Sequence, residues 1–272
     1  SKREPGKLVG FRLGNAGGIV VGYGDGEMFL ASDLPALLPH TRRVAYLAGN
    51  EVLSVTQSGA RFSLLDGTPI EKPVSFAPYD AISSVKGEYK HFMLKEIHEQ
   101  PEAIISTMRG IASFDTLSVE IDDFPLSAEE IKDIKKVVLI GMGTSLHAAM
   151  VGRTWIESLA RISAEVDNSS EFRYRESVID ANTLVISVCQ SGETADTLAA
   201  MEEAKSNGAR QITLCNYAGT QTTRIADETI LIHAGLEIGV AASKTFVCSL
   251  TAMYMLALRL AISRGTLAEE KL

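Results

Sequence analysis

Two hydrophobic rhythms divide the chain. Across residues 7–75 short β-rich runs alternate with turns, at 8–13, 18–24, 44–47, 51–55 and 61–65, the last closing on Asp66-Gly67. Runs of this length between glycine-bearing turns predict an antiparallel sheet. Residues 31–38, with Ser32 and Asp33 ahead of Leu34, Leu37 and Leu38, predict a short capped helix on that sheet. So few elements do not obviously close a core, which points to the tail end of a larger domain. From 78 to 87 the sequence is mixed and loop-like and reads as a linker. Residues 89–108 then predict a helix with Phe92, Ile97, Ala103, Ile104 and Met108 on one face, kinked or restarted at Pro101.

From Lys135 onward the rhythm changes. Apolar runs at 136–140, 163–166, 183–188, 210–216 and 228–232 read as strands, and they alternate with helical stretches. The helices run to Leu159 after the first strand, across 193–207 with Gly208 in the place of a C-cap, and across 242–264. Strands and helices in alternation build a parallel sheet with helices on its faces, so the fold class is α/β.

Composition narrows the picture. At 272 residues, two domains are the default expectation. With 46% hydrophobic and 22% charged residues the chain is too apolar to be disordered. A net charge of -8 repels nucleic acid unless a basic patch offsets it. The longest basic cluster, 132–136, is interleaved with acid and reads as a solvated helix end. Cys189, Cys215 and Cys248 lie far apart in apolar surroundings and read as buried thiols in a reducing compartment, not as zinc ligands. The apolar stretch 247–262 is short for a membrane span and is interrupted by Ser249, Thr251 and Arg259, so a buried helix is expected. No signal peptide pattern precedes the first strand, and a cytoplasmic location is expected.

Two strands end in small polar residues just before a helix: Gly141-Met142-Gly143-Thr144-Ser145, and Cys189-Gln190-Ser191-Gly192-Glu193-Thr194. Ligands of open parallel sheets bind at the carboxyl ends of strands, where helix N-termini offer free N–H groups to a phosphate. The hydroxyls of Thr144, Ser145, Ser191 and Thr194 would add neutral donors, and Gly143 and Gly192 would let the backbone approach closely. Serine and threonine are also ordinary N-caps, so helix capping explains either turn taken singly. Neither turn has a Walker spacing, and Gly141-Met142-Gly143 lacks the third glycine of a dinucleotide site. Two lysine-free turns in one sheet suggest a sugar phosphate.

The run from Cys189 to Thr197 closely resembles the Ser-Gln-Ser-Gly-Glu-Thr-Ala-Asp-Thr motif of sugar isomerase (SIS) domains. More narrowly, it looks like that of the isomerising glutamine–fructose-6-phosphate aminotransferases, the glucosamine-6-phosphate synthases. Gly143-Thr144-Ser145, the stretches 170–175 and 234–244, the helix segments 89–97 and 99–101, and residues 27–33 resemble the same family in the same order. The resemblance implies three segments: residues 1–77 as the C-terminal part of an N-terminal-nucleophile glutaminase domain, 78–110 as interdomain linker and helix, and 111–272 as a first SIS domain, a parallel-sheet three-layer sandwich. It implies transfer of glutamine nitrogen to fructose 6-phosphate with isomerisation to glucosamine 6-phosphate. It also implies no cofactor, no metal, no nucleic acid or membrane partner, and a homodimer. The sugar-phosphate contacts it implies are Gly143, Thr144, Ser145, Cys189, Gln190, Ser191 and Thr194, with Val240 near the sugar. Its catalytic groups match no position of this sequence, so none is assigned here and the chain alone is expected to be inactive.

The sequence departs from the pattern in places. Cys189 stands where the family has a phosphate-binding serine, and a thiol is a weaker donor, so only the backbone N–H of that contact is expected to survive. Met142 replaces a common cysteine, and Ala242-Ser243 replaces Ser-Thr before Lys244. His147 is expected to pack or face solvent, and His91 and His98 to lie on the surface. Glu193 is expected to serve a helix dipole. Glu237 and Lys244 are expected to organise their loop, and Arg173 and Arg175 to pair across a subunit contact. A SIS-type sugar-phosphate sensor and a deglycase are the competing readings, and neither has a use for the β-rich segment upstream.

Overall fold

The computed structural model describes residues 2–14, 18–77, 85–109, 111–113, 118, 119, 121 and 126–267. They fall into two compact units, 1–88 and 89–272. Of the predicted linker, residues 78–84 lie outside the described residues.

Among its described residues the first unit holds eight strands: β1 (Lys7–Arg12), β2 (Val20–Tyr23), β3 (Met28–Ala31), β4 (Arg43–Tyr46), β5 (Glu51–Thr56), β6 (Gly59–Leu64), β7 (Pro69–Ile70) and β8 (Ser75–Phe76). They form two antiparallel sheets, β1-β5-β6-β7 and β3-β2-β4-β8, where the sequence suggested one. Val21 and Ala45 of one sheet share a core with Leu53, Val55 and Phe62 of the other. The alternation along β5 explains this, since Leu53 and Val55 point inward at every second position. Val9 and Phe11 of β1 remain 61% exposed, so that strand carries little of the core.

The predicted helix at 31–38 is instead a series of turns, closed by bonds such as Leu37 N–H to Leu34 O and His40 N–H to Leu37 O. Pro39 stands four residues after Pro35, so a helix would lose that bond and set a proline ring against the Pro35 carbonyl. The leucines are buried all the same. Burial of the apolar side of the segment was legible, and its backbone was not.

In the second unit α1 (Phe92–Arg109) is one continuous helix through Pro101. Its buried residues are Glu96, Ala103 and Thr107, while Ile97 is 44% exposed, so the inward face is rotated from the apolar one predicted. The short pair β9 (Ala112–Ser113) and β10 (Ser118–Val119) and helix α2 (Ala128–Asp133) follow. Ser127 and Glu130 close a capping box on α2.

Five parallel strands come next: β11 (Lys136–Gly141), β12 (Ser163–Asn168), β13 (Thr183–Val188), β14 (Arg210–Cys215) and β15 (Glu228–Leu231). Between them lie α3 (Thr144–Trp155), α4 (Ser169–Phe172), α5 (Ala195–Ser206), α6 (Gln221–Ile225) and finally α7 (Lys244–Arg264). Helix α3 runs on through a π-helical turn, Ile156–Ala160, and stops at Arg161 in the left-handed region. Gly208 closes α5 as predicted, with Ala209 N–H bonded to Ala204 O and Gly208 N–H to Lys205 O.

Alternation along each strand sorts the side chains to two faces. Val137, Leu139, Leu184, Ile186 and Ile212 pack with α3 and α7. Val138, Ile140 and Val185 pack with Phe172 of α4 and with Ala200, Met201 and Ala204 of α5. The result is a three-layer α/β sandwich, as predicted. By length and composition α7 would suffice to cross a membrane, but more than half of its most apolar window is buried here, including Cys248, Ala252 and Leu256.

Candidate functional site

The sheet order β12-β11-β13-β14-β15 places a switch between β11 and β13. The chain leaves β11 for β12 on one side, then returns past β11 to build the rest on the other. Loops leaving the carboxyl ends of β11 and β13 therefore diverge and open a crevice, the place where such sheets bind ligands. Both predicted turns sit there.

At the first turn Gly143 is the N-cap of α3 with φ 55 and ψ -129, a backbone that favours glycine. Having no side chain, it leaves the helix start without a side-chain cap. Ser145 N–H bonds Met142 O and Leu146 N–H bonds Gly143 O, which folds the turn tightly under β11. Gly143 and Thr144 are exposed and Ser145 is half-buried. His147 is exposed, in keeping with the expectation.

The second turn is built from beneath. Gly192 has φ 68, and a Cβ there would collide with Thr220 Oγ1 and lie 2.8 Å from Cys215 Sγ. Its carbonyl accepts from Thr222 N–H at 3.2 Å, and Gln190 O accepts from Asn216 N–H at 3.2 Å. Ser191 Oγ accepts from Glu193 N–H at 3.2 Å. Thr194 is the N-cap of α5 yet makes no side-chain capping bond, so capping does not occupy its hydroxyl. The first amides of α5 have no intrahelical acceptor and remain available to an anion. Glu193 is structural, as expected, but the helix it serves is α6: its carboxylate accepts Gln221 N–H at 3.1 Å and Gln221 Nε2 at 2.7 Å.

Cys189 does not present itself to the crevice. Its thiol donates to Leu214 O at 3.2 Å and its N–H donates to the same oxygen at 2.9 Å. The expectation that the backbone N–H would still reach a phosphate is thereby corrected, because parallel pairing with β14 uses it. A hydrogen bond with Cys215 and complete burial push the Cys189 thiol well up, while the same bond, with help from Thr220, brings Cys215 down against its own burial. All three cysteines are free and buried.

The third part is the loop at 233–243 that follows β15. Asn216 fastens its start, with Nδ2 donating to Gly235 O at 2.7 Å and Oδ1 accepting Ala234 N–H at 2.9 Å. Glu96 of α1 fastens its middle: Oε1 accepts Ile238 N–H at 2.6 Å and Gly239 N–H at 3.0 Å. Glu237 turns back to cap α7, accepting from Ser243 N–H at 2.9 Å, Thr245 N–H at 3.2 Å and the Thr245 hydroxyl. Lys244, 4% exposed, meets Glu99 of α1 at 2.6 Å. Val240 stands fully exposed beside these anchors.

The loop-organising roles expected for Glu237 and Lys244 agree with this geometry. Glu96 and Asn216 were missed, although a carboxylate seven residues from Ala103 on one helical face was a usable signal. Arg173 and Arg175 were expected across a subunit contact. They pair within the chain, Arg173 with Asp196 and Arg175 with Asp167, both at 2.9 Å. Among the described residues no group of three or more His, Cys, Asp or Glu side chains could hold a metal ion.

A parallel sheet of this order, with two hydroxyl-bearing turns at its switch point, is an open α/β domain, and residues 130–259 match the SIS domain family. The chain as a whole is a relative of the isomerizing glutamine–fructose-6-phosphate aminotransferases. It is 44% identical to that of Clostridium tetani over 269 residues, 99% of this chain and 44% of the relative. It is 45% identical to that of Thermococcus kodakarensis over 271 residues, 99% of this chain and 43% of the relative. The chain thus spans less than half the length of these curated relatives. In structure it is similar to the C-terminal domain of glucosamine-fructose-6-phosphate aminotransferase from Francisella tularensis, with a TM-score of 0.64 and 34% identity over 69% of this chain and 52% of that one.

Proposed function

We propose that the chain carries the hexose-phosphate-binding part of an isomerising aminotransferase, which moves the amide nitrogen of glutamine onto fructose 6-phosphate and isomerises the product to glucosamine 6-phosphate. The observation that carries this reading is the pair of helix starts, α3 and α5, that lie at one switch point without side-chain caps. Helix N-termini favour a dianion through oriented N–H groups, and a lysine-free site suits a sugar phosphate that must be released after reaction.

In this reading Gly143, Thr144 and Ser145 hold the phosphate from one side and Ser191 and Thr194 from the other, with Gln190 alongside. Val240 lies against the sugar, and its loop is set by Glu96. Cys189 supports the turn from below. Residues 1–77 form the C-terminal part of a glutaminase domain, 78–110 the interdomain connection and 111–272 a first SIS domain, which similarity over 99% of the chain supports. The reading carries with it a cytoplasmic homodimer.

The test is thermal unfolding with fructose 6-phosphate or glucosamine 6-phosphate. Either ligand is expected to raise the melting temperature, and Ser191→Ala combined with Thr194→Ala is expected to remove that rise. An unchanged rise in the double variant would place the phosphate elsewhere.

A further inference from the structure

Two thiols lie directly beneath the proposed phosphate turn, and the function described so far uses neither as chemistry. β13 and β14 pair in parallel up to Val188 opposite Leu214, and Cys189 and Cys215 are the next residue on each strand. Neighbouring strands are about 4.8 Å apart, within the roughly 4.4–6.8 Å between Cα atoms that a disulfide spans. The sulfurs share one polar nest. Cys189 Sγ is 3.6 Å from Thr222 Oγ1, Cys215 Sγ is 3.5 Å from Thr220 Oγ1, and the two hydroxyls are 3.4 Å apart.

We propose that Cys189 and Cys215 are a vicinal dithiol that hydrogen peroxide oxidises to a disulfide, and that this modification disables the hexose-phosphate turn above it. The second half rests on the function proposed above. The first half stands on the geometry of the two cysteines alone.

The Cys215 thiolate attacks one peroxide oxygen, the O–O bond breaks, and the displaced hydroxide leaves as water, giving a sulfenic acid on Cys215. The Cys189 sulfur then attacks Cys215 Sγ, the S–O bond breaks, and the hydroxyl leaves as water with the Cys189 proton. Two thiols and one peroxide yield one disulfide and two waters. The charge distribution in the nest suits these roles, since hydrogen bonding favours the ionised form at Cys215 and the protonated form at Cys189.

The turn responds because the same sulfurs hold it. Cys215 Sγ is bonded to Gln190 O at 3.6 Å and would lie 2.8 Å from a Cβ on Gly192. Drawing the sulfurs to about 2.05 Å takes Cys215 from the Gln190 carbonyl and Cys189 from Leu214 O, and the turn must follow. Both thiols are buried, so peroxide reaches them only when the turn opens. A ligand that holds the turn closed therefore slows oxidation, and by linkage oxidation weakens the ligand.

The test treats the full chain with peroxide, alkylates remaining thiols, and maps tryptic peptides without reduction. The expected product links the peptide 176–205 to the peptide 211–224, with Cys248 alkylated, and glucosamine 6-phosphate slows its formation. The oxidised protein loses the ligand-induced rise in melting temperature, and a dithiol reductant restores it. Cys248→Ser behaves as the parent, and Cys215→Ser forms no linked peptide. Alkylation of all three thiols after peroxide, or a link through Cys248, overturns the dithiol. A linked product that keeps its full response to ligand overturns the effect on the turn. A reduced protein with no ligand response counts against the proposed function and leaves the peptide map to decide the dithiol.

Discussion

The carboxylate of Glu96 fills the space that a side chain on Gly239 would need. A Cβ at 239 would come 2.5 Å from Glu96 Oε2, while the same carboxylate accepts the N–H groups of Ile238 and Gly239. A helix residue and a loop residue 143 positions later are thus made for each other.

This relationship predicts a non-additive pair. Glu96→Ala strands two half-buried amides and is expected to cost about 2 kcal/mol. Gly239→Ala is expected to cost about 1–3 kcal/mol through overpacking against the carboxylate. The double variant loses less than the sum, because removing Glu96 makes room for the new methyl group. Denaturant unfolding of the four proteins measures the coupling, and strict additivity would show that the contact carries no energy.

The same anchor separates sugar from phosphate. If Glu96 sets the Val240 loop, Glu96→Gln weakens glucosamine 6-phosphate binding but leaves inorganic phosphate binding at the two turns unchanged. Titration calorimetry with both ligands reads this. Equal loss for both would mean that the substitution disturbs the whole site.

Gly192 faces a double constraint. Its φ of 68 disfavours any side chain, and Thr220 and Cys215 occupy the space for one. Gly192→Ala is expected to destabilise the chain by about 2–4 kcal/mol, and chemical denaturation checks it. Ser191→Ala, one residue away, removes only an acceptor for Glu193 N–H and is expected to cost about 1 kcal/mol.

Much of this architecture could be read from the sequence. Five apolar runs gave five parallel strands, and Gly141 to Ser145 and Cys189 to Thr194 fell at the one place in such a sheet where loops part. What escaped were polar groups whose partners lie far along the chain. Glu96 and Thr107 turn inward because they bond Ile238, Gly239 and the Ile232 carbonyl, and no local period announces a partner more than a hundred residues away. Arg173 likewise finds a partner within the chain in Asp196, on the next helix of the sheet. The turns at 32–40 show the opposite failure: an apolar pattern suited to a helix, carrying two prolines four residues apart, folds as turns.

Acid provides a local test of helix capping. The Glu130 carboxylate accepts Ser127 N–H at 2.8 Å, and the Ser127 backbone and side chain hold its pKa below the ordinary glutamate value. A carboxylate depressed in the folded state contributes stability that is fully present above its unfolded pKa and is lost as pH falls through the folded value. Carbon-detected NMR titration is expected to show Glu130 ionising below the ordinary glutamate value, and Ser127→Ala, which removes the hydroxyl and keeps the backbone N–H, is expected to raise it part of the way back. A Glu130 that titrates as an ordinary glutamate in the parent would remove the capping box from solution.

The ion pair between Lys244 and Glu99 ties α1 to the start of α7, and its two halves are not equivalent. Lys244 has a side chain only 5% exposed, whereas Glu99 is 34% exposed and also reaches Lys95 at 3.5 Å. Glu99→Ala leaves an ammonium group buried without its partner and is expected to cost about 2–3 kcal/mol. Lys244→Met removes the charge that needs a partner and keeps the aliphatic stem, so a loss of about 1 kcal/mol or less is expected. The order of the two, measured by urea unfolding at neutral pH, decides the point: a methionine variant less stable than the alanine variant would mean that the pair itself, and not the avoidance of a buried lone charge, holds α1 to α7.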